Sequence, residues 1–231
     1  MKEVLCFGDS NTWGWDPATK ERYTKHERWP GVLQKALGGE YHIIEEGQNG
    51  RTTVWEDPIE GYKSGKEYLI PCLETHKPLD LVIIMIGTND LKKRFSLSAY
   101  DIAQGAGVLV DVVNKSGAGR MGEAPRVLLM APPPLGKLTE YAEMFEGGTE
   151  KSKRLSEHFR AVAQEHGCEF FDTSKVWRSS DIDGIHMERK EHEALGREIA
   201  QIVKRILTQA TQSQKSNPHL THQQRSPQTI R

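Results

Sequence analysis

Ser10 stands in FGDSNTWGW, Asn89 in IGTND, and Asp183 and His186 in DGIH. A serine hydroxyl acts as a nucleophile when a base accepts its proton, and an imidazole is that base when a carboxylate fixes its tautomer and stabilises the imidazolium. The spacing of Asp183 and His186 lets the carboxylate reach the ring within one turn. An asparagine amide such as that of Asn89 donates to an oxygen on which negative charge develops. Gly50, in EEGQNGRTT, has no side chain to keep a ligand away from its backbone N–H. Each residue taken singly also has a plainer reading. Asp9 and Ser10 suit an N-cap or a turn, as do Asn89 with Asp90 and Asn49 with Gly50, and Asp183 could cap a helix with His186 simply beside it.

Each block lies next to an element that would position it. Residues 4–7, 41–44 and 81–86 are short apolar runs ending near glycines and read as strands. Residues 127–131, stopped by Pro132, Pro133 and Pro134, and residues 169–171 add two more. Ile102, Ala106, Leu109, Val110 and Val113 fall on one helical face behind Ser98 as N-cap. Leu155, Phe159, Val162 and Ala163 predict a helix over 149–166, closed by Gly167, and Leu195, Ile199, Ile202, Val203, Ile206 and Leu207 one over 188–209.

Apolar strands without period-two alternation, placed between helices, predict a five-stranded parallel sheet buried on both faces. The result is a doubly wound, three-layer α/β/α domain over residues 1–210. Ligands of such sheets bind beyond the carboxyl ends of the strands, which puts the site in the loops after Phe7, Glu45 and Ile86. From 211 to 231 the chain turns to glutamine, serine, threonine, histidine and proline, which predicts a disordered tail with His219 and His222 solvated.

Together the blocks GDSN, the Asn49–Gly50 loop, GTND and DGIH resemble, in order, spacing and strand position, the four conserved blocks of the SGNH (GDSL-type) hydrolases. Ser10, Gly50, Asn89 and His186 match the four letters, and the resemblance covers residues 1–209. It implies a flavodoxin-like SGNH hydrolase fold and a serine ester hydrolase working through an acyl-enzyme. Ser10, Asp183 and His186 would be its catalytic triad, and Ser10 N–H, Gly50 N–H and the Asn89 amide its oxyanion hole; it implies no metal and no organic cofactor. GDSNTWGW and DGIHM look closest to the arylesterase-like branch, which implies short-chain acyl esters as substrates and often a homo-oligomer, with segment 132–150 placed to supply its contacts. A carbohydrate O-acetyl deacetylase, a lysophospholipase or thioesterase of the same fold, and a non-catalytic α/β binding protein stay open. Trp13, one short turn beyond Ser10, is expected to line the substrate pocket, and Trp15 and Trp55 to be structural.

Composition narrows the partners. Lysine plus arginine number 31 against 32 aspartates plus glutamates, which leaves no charge excess to draw nucleic acid or an anionic membrane and favours a small ester substrate. Gly8 and Gly14 do not complete GxGxxG, no GxxxxGK[ST] occurs, and no GxSxG elbow of the ordinary α/β-hydrolases is present. Cys6, Cys72 and Cys168 are odd in number and widely spaced, neither a disulfide framework nor a zinc pattern, which predicts a reducing, cytoplasmic home. Met1 and Lys2 lead into an apolar run too short for a signal peptide, and no run approaches the roughly 20 residues that span a bilayer.

Overall fold

In the computed structural model, which describes residues 1–215, helices and parallel strands alternate along the chain. In chain order they are β1 (Lys2–Gly8), α1 (Ser10–Trp13), α2 (Trp29–Leu37), β2 (Tyr41–Gly47), α3 (Gly65–His76), β3 (Leu81–Met85), α4 (Ala99–Lys115), β4 (Arg126–Ala131), α5 (Gly148–Ser152), α6 (Leu155–Glu165), β5 (Glu169–Asp172) and α7 (Arg189–Lys215). The sheet order is β2-β1-β3-β4-β5 with every pair parallel, the flavodoxin-like doubly wound arrangement. The order reverses at β1, so the chain leaves its two neighbours in opposite directions and opens a crevice at their carboxyl ends.

The strands feed two cores because successive side chains point to opposite faces. Val4, Cys6, Leu81, Ile83 and Met85 pack under α2 and α7, against Trp29, Leu33, Leu195, Ile199, Val203 and Ile206. Leu5, Phe7, Val82 and Ile84 pack under α3, α4 and α6, against Leu69, Leu73, Ile102, Leu109, Phe159 and Val162. Truncating one such buried leucine or isoleucine to alanine costs about 2–5 kcal/mol. Ser98 caps α4 as expected: its hydroxyl accepts from Asp101 N–H at 3.1 Å while the Asp101 carboxylate accepts from Ser98 N–H.

Register positions the site. Gly8 of β1 is level with Gly47 of β2 and Met85 of β3, so three chains leave the sheet at one height. β2 extends past its expected end because it pairs with β1 along its whole length. The helix expected over 149–166 is two, α5 and α6. At the junction Arg154 N–H bonds to Lys151 O three residues back, and the Ser152 hydroxyl serves Leu135 N–H at 2.9 Å. Helix α7 continues to Lys215, so residues 211–215 of the expected tail are helical; residues 216–231, with His219 and His222, lie outside the described residues. Among the described residues no helix is long and apolar enough to cross a membrane.

Candidate active site

Ser10 is the first residue of α1, two positions past the end of β1, and the Asp9 carboxylate caps that turn by accepting from Asn11 N–H at 3.0 Å. The Ser10 hydroxyl lies 2.9 Å from His186 Nε2, and His186 Nδ1 lies 2.6 Å from Asp183 Oδ2. Asp183 Oδ1 accepts from Ile185 N–H at 2.8 Å and His186 N–H at 3.0 Å, so the turn that carries the imidazole also fixes the carboxylate. Burial would raise the Asp183 pKa. The hydrogen bond and charge of His186 and the two N–H groups outweigh it and hold this carboxyl below its ordinary range. Gly184 makes the turn possible: its φ is +79°, and a Cβ there would come within 2.6 Å of the Lys137 carbonyl oxygen.

Asn89 lies beyond the end of β3, and its Nδ2 donates to the Arg51 carbonyl at 3.1 Å. An amide nitrogen carries two hydrogens, so one remains for the pocket that Asn89 lines. Gly50 lines the same pocket with φ +78°, and a Cβ would meet the Glu60 carboxylate at 2.3 Å. Neither Ser10 N–H nor Gly50 N–H has a hydrogen-bond partner among the described residues. Ser10, Gly50 and Asn89, each with an N–H not taken by a protein partner among the described residues, therefore line one pocket.

Arg51 holds the Gly50 loop to the sheet. Its buried guanidinium donates to Gly8 O at 2.8 Å, to Glu46 O, and to Gln48 Oε1 at 3.2 Å, and stacks over Phe7 and Tyr68 at 4.2 and 4.8 Å from the ring centres. Burial lowers its pKa to about 10, which leaves it charged at neutral pH. Burial likewise pushes Asp9 and Asp90 up to about 6; Asp90 receives the Thr53 N–H and hydroxyl and so fixes the other end of the loop.

The pocket has a volume of about 150 Å³. Trp15, Tyr141, Met144, Phe145 and Ile185 form apolar walls, and Asn49, Glu60 and Lys92 supply polar ones. The Trp15 and Tyr141 rings flank the His186 imidazole at 5.7 and 6.4 Å between centres. Lys92, 3% exposed, pairs with Glu60 and lies 3.3 Å from Asp57, whose carboxylate also receives Arg94 at 2.8 Å. Although burial opposes it, the Ile59 and Glu60 N–H groups, Arg94 and Lys92 together hold Asp57 down at about 2.

Ser10, Gly50, Asn89, Asp183 and His186 are thus brought together from distant parts of the chain, while Trp13 is not on the pocket wall. Gly14 closes α1 with φ +94° and turns the chain, so Trp15 takes the wall position. Trp13 packs instead against Trp15 at 6.2 Å and under Arg22 at 4.9 Å. Trp55, expected to be structural, is 39% exposed. Segment 132–150, read as a source of contacts between subunits, sends Tyr141, Met144 and Phe145 into the pocket of its own chain, anchored by the buried Leu135 and Phe145 and by Gly136 N–H to Gly184 O at 2.8 Å. Tyr141, Lys92 and Glu60 carried no sequence signal beyond their type.

Residues 6–194 match the model of the GDSL-like lipase/acylhydrolase family. A comparison with curated proteins found no match. Among solved structures, Est24, a carbohydrate acetylesterase from Sinorhizobium meliloti, is 44% identical with a TM-score of 0.86, over 89% of this chain and all of that one. The M. smegmatis aryl esterase is 42% identical with the same TM-score, over 90% of this chain and all of that one. A lipolytic protein of the G-D-S-L family from Veillonella parvula, 15% identical over 89% of this chain and all of that one, shares the fold at a TM-score of 0.65.

Proposed function

The chain belongs to the GDSL-like lipase/acylhydrolase family and is a carboxylic ester hydrolase, and from that premise we propose that it cleaves short-chain acyl esters with Ser10 as nucleophile, His186 as base and Asp183 as its orienting carboxylate. The observation that carries this reading is the unbroken hydrogen-bonded chain from Ser10 Oγ through His186 to Asp183. Ser10 Oγ attacks the ester carbonyl carbon while His186 Nε2 takes its proton. The tetrahedral oxyanion is met by Ser10 N–H, Gly50 N–H and the Asn89 amide. His186 returns the proton to the departing alcohol oxygen, leaving an acyl group on Ser10. Water, deprotonated by His186, then attacks the acyl carbon, and His186 returns that proton to Ser10 Oγ as the acyl–oxygen bond breaks, releasing the acid and the free enzyme.

Pocket size supports a short acyl chain, since a cavity of about 150 Å³ accommodates a group the size of benzene. A second reading, removal of acetyl groups from sugars, is favoured by the polar wall of Asn49, Glu60 and Lys92, which offers donors and acceptors to a hydroxyl-rich alcohol. The three cysteines are free, which supports a reducing, cytoplasmic setting. Ile59 and Tyr62, exposed on the loop after Gly50, offer an apolar surface for self-association.

A fluorophosphonate should label the wild type on Ser10 and leave Ser10→Ala unlabelled and without ester hydrolysis; full activity in that variant ends the assignment. Comparing kcat/KM for acetyl, butyryl and octanoyl esters of one phenol with that for an acetylated sugar then decides the substrate. Faster octanoyl than acetyl turnover overturns the short-chain reading, and sugar acetates cleaved better than aryl acetates establish the second.

A further inference from the structure

One group of three potential metal ligands stands out among the described residues: Glu46, Cys72 and His76 place a donor atom each within 4.8 Å of one another. Glu46 is next to last in β2, and Cys72 and His76 lie four residues apart on α3, which puts them on the same helix face. His76 Nε2 lies 2.8 Å from Glu46 Oε1, and the Tyr68 hydroxyl, one further turn back on that face, donates to Glu46 Oε2 at 3.0 Å. The family reaction uses none of these groups. We infer that Glu46, Cys72 and His76 form a binding site for a divalent transition-metal ion of the zinc type, tying the end of β2 to α3.

Donor chemistry selects the ion. A thiolate, an imidazole and one carboxylate suit zinc or cobalt, whereas calcium and magnesium take sets of oxygen ligands. Three protein ligands leave a fourth tetrahedral position for water. Tyr68 acts as the outer partner that aims the carboxylate, the role hydrogen-bonded groups play around bound metals. The helix pair and the carboxylate are 30 residues apart at His76 and Glu46, which is why no ligand spacing showed in the sequence.

Electrostatics shape the site. Cys72 binds the ion as a thiolate, so the ion must displace its proton, which passes to solvent. The Arg51 cation stacks on Tyr68 and adds positive charge nearby. The Glu46 carboxylate and the Cys72 thiolate supply two negative charges to set against the dication. The hydrogen bond between His76 and Glu46 holds two of the ligands together in the free protein, and the ion replaces it.

The test uses the full chain, with His219→Ala and His222→Ala to remove the histidines at 219 and 222, stripped by chelator and titrated with Co2+. The expected result is one equivalent bound with a thiolate-to-cobalt charge-transfer band, displaced by Zn2+, and a higher Tm with Zn2+ than with chelator. Cys72→Ser should lose the band, and His76→Ala, at a partly exposed ring, should weaken binding at least about tenfold. Absence of the band, or unchanged affinity in His76→Ala, overturns the site. Ester hydrolysis plays no part in these readouts, so their failure leaves the Ser10 assignment standing.

Discussion

The Asn11 side-chain oxygen accepts the Met187 backbone N–H at 3.0 Å, both buried, and thereby ties the residue after Ser10 to the residue after His186. Ser10 and His186 are thus held beside each other by a bond in which neither takes part. Asn11→Ala should leave the Met187 N–H unpaired and cost about 1–3 kcal/mol of stability. Because the loosened pair is Ser10 and His186, kcat should fall while KM changes little. Urea denaturation and steady-state kinetics read the two effects, and an unchanged midpoint with unchanged kcat would show that the bond contributes to neither.

Asp183→Asn has a direction set by geometry. Oδ1 of residue 183 accepts two backbone N–H groups, from Ile185 and His186, so an asparagine must keep its oxygen there and turn its NH2 toward His186 Nδ1. The imidazole then becomes an acceptor at Nδ1 and carries its proton on Nε2, facing Ser10, where it cannot serve as base. A fall in kcat on the order of a thousand- to ten-thousand-fold is expected, with the fold retained, as for the corresponding change in serine proteases. Turnover within tenfold of wild type would remove Asp183 from the mechanism.

Much of this site was legible because its chemistry sits in short blocks at strand ends, and strand ends are marked by apolar runs meeting glycine. Ser10, Gly50 and Asn89 follow from those runs once β1, β2 and β3 are level. What the sequence hid depends on backbone reversal and on buried charge. Trp13 and Trp15 differ only in which side of the left-handed Gly14 they fall on. Tyr141, Met144 and Phe145 come from an irregular segment with no period to read. Arg51 and Lys92 are buried cations whose cost is met by carbonyls and carboxylates distant in sequence, so residue type alone argues for the surface. Helix α3 was obscured by Pro71 within it and by the exposed Tyr68 and Ile70.

His192 makes stability depend on pH. Its ring is buried with Nδ1 accepting from Trp29 N–H at 3.2 Å, and burial, reinforced by the charges of His186 and Arg28, lowers its pKa from 6.5 to about 3. The folded chain keeps this ring neutral while the unfolded chain binds a proton below 6.5, so the contribution is complete above pH 6.5 and lost as pH falls toward 3. Asp9 and Asp90, raised to about 6, act with the opposite sign between 6 and 3.8, so the wild type alone does not isolate the effect. His192→Asn supplies an acceptor for Trp29 without a titrating group. The difference in unfolding free energy, wild type minus variant, should fall by about 2 kcal/mol from pH 6.5 to 5. A constant difference across that range would mean that His192 is not held neutral.

Asn89 provides the sharpest separation between an oxyanion donor and a turn residue, because its amide already donates once, to the Arg51 carbonyl at 3.1 Å. Asn89→Ala removes the second N–H from the pocket and should lower kcat on the order of a hundred- to a thousand-fold with little change in KM, since the charge it meets exists only in the transition state. Asn89→Asp keeps the shape but presents acceptors alone. The carboxylate oxygen that replaces Nδ2 would face both the Arg51 carbonyl and the developing oxyanion, so both contacts turn from attraction to repulsion. This variant should therefore be at least as slow as Asn89→Ala. A turn residue would behave differently, because aspartate and asparagine make similar local bonds to the backbone and exchange with little effect. Near wild-type turnover in Asn89→Asp, with its circular dichroism unchanged, would take Asn89 out of the oxyanion hole and leave the two backbone N–H groups of Ser10 and Gly50 to stabilise the charge alone.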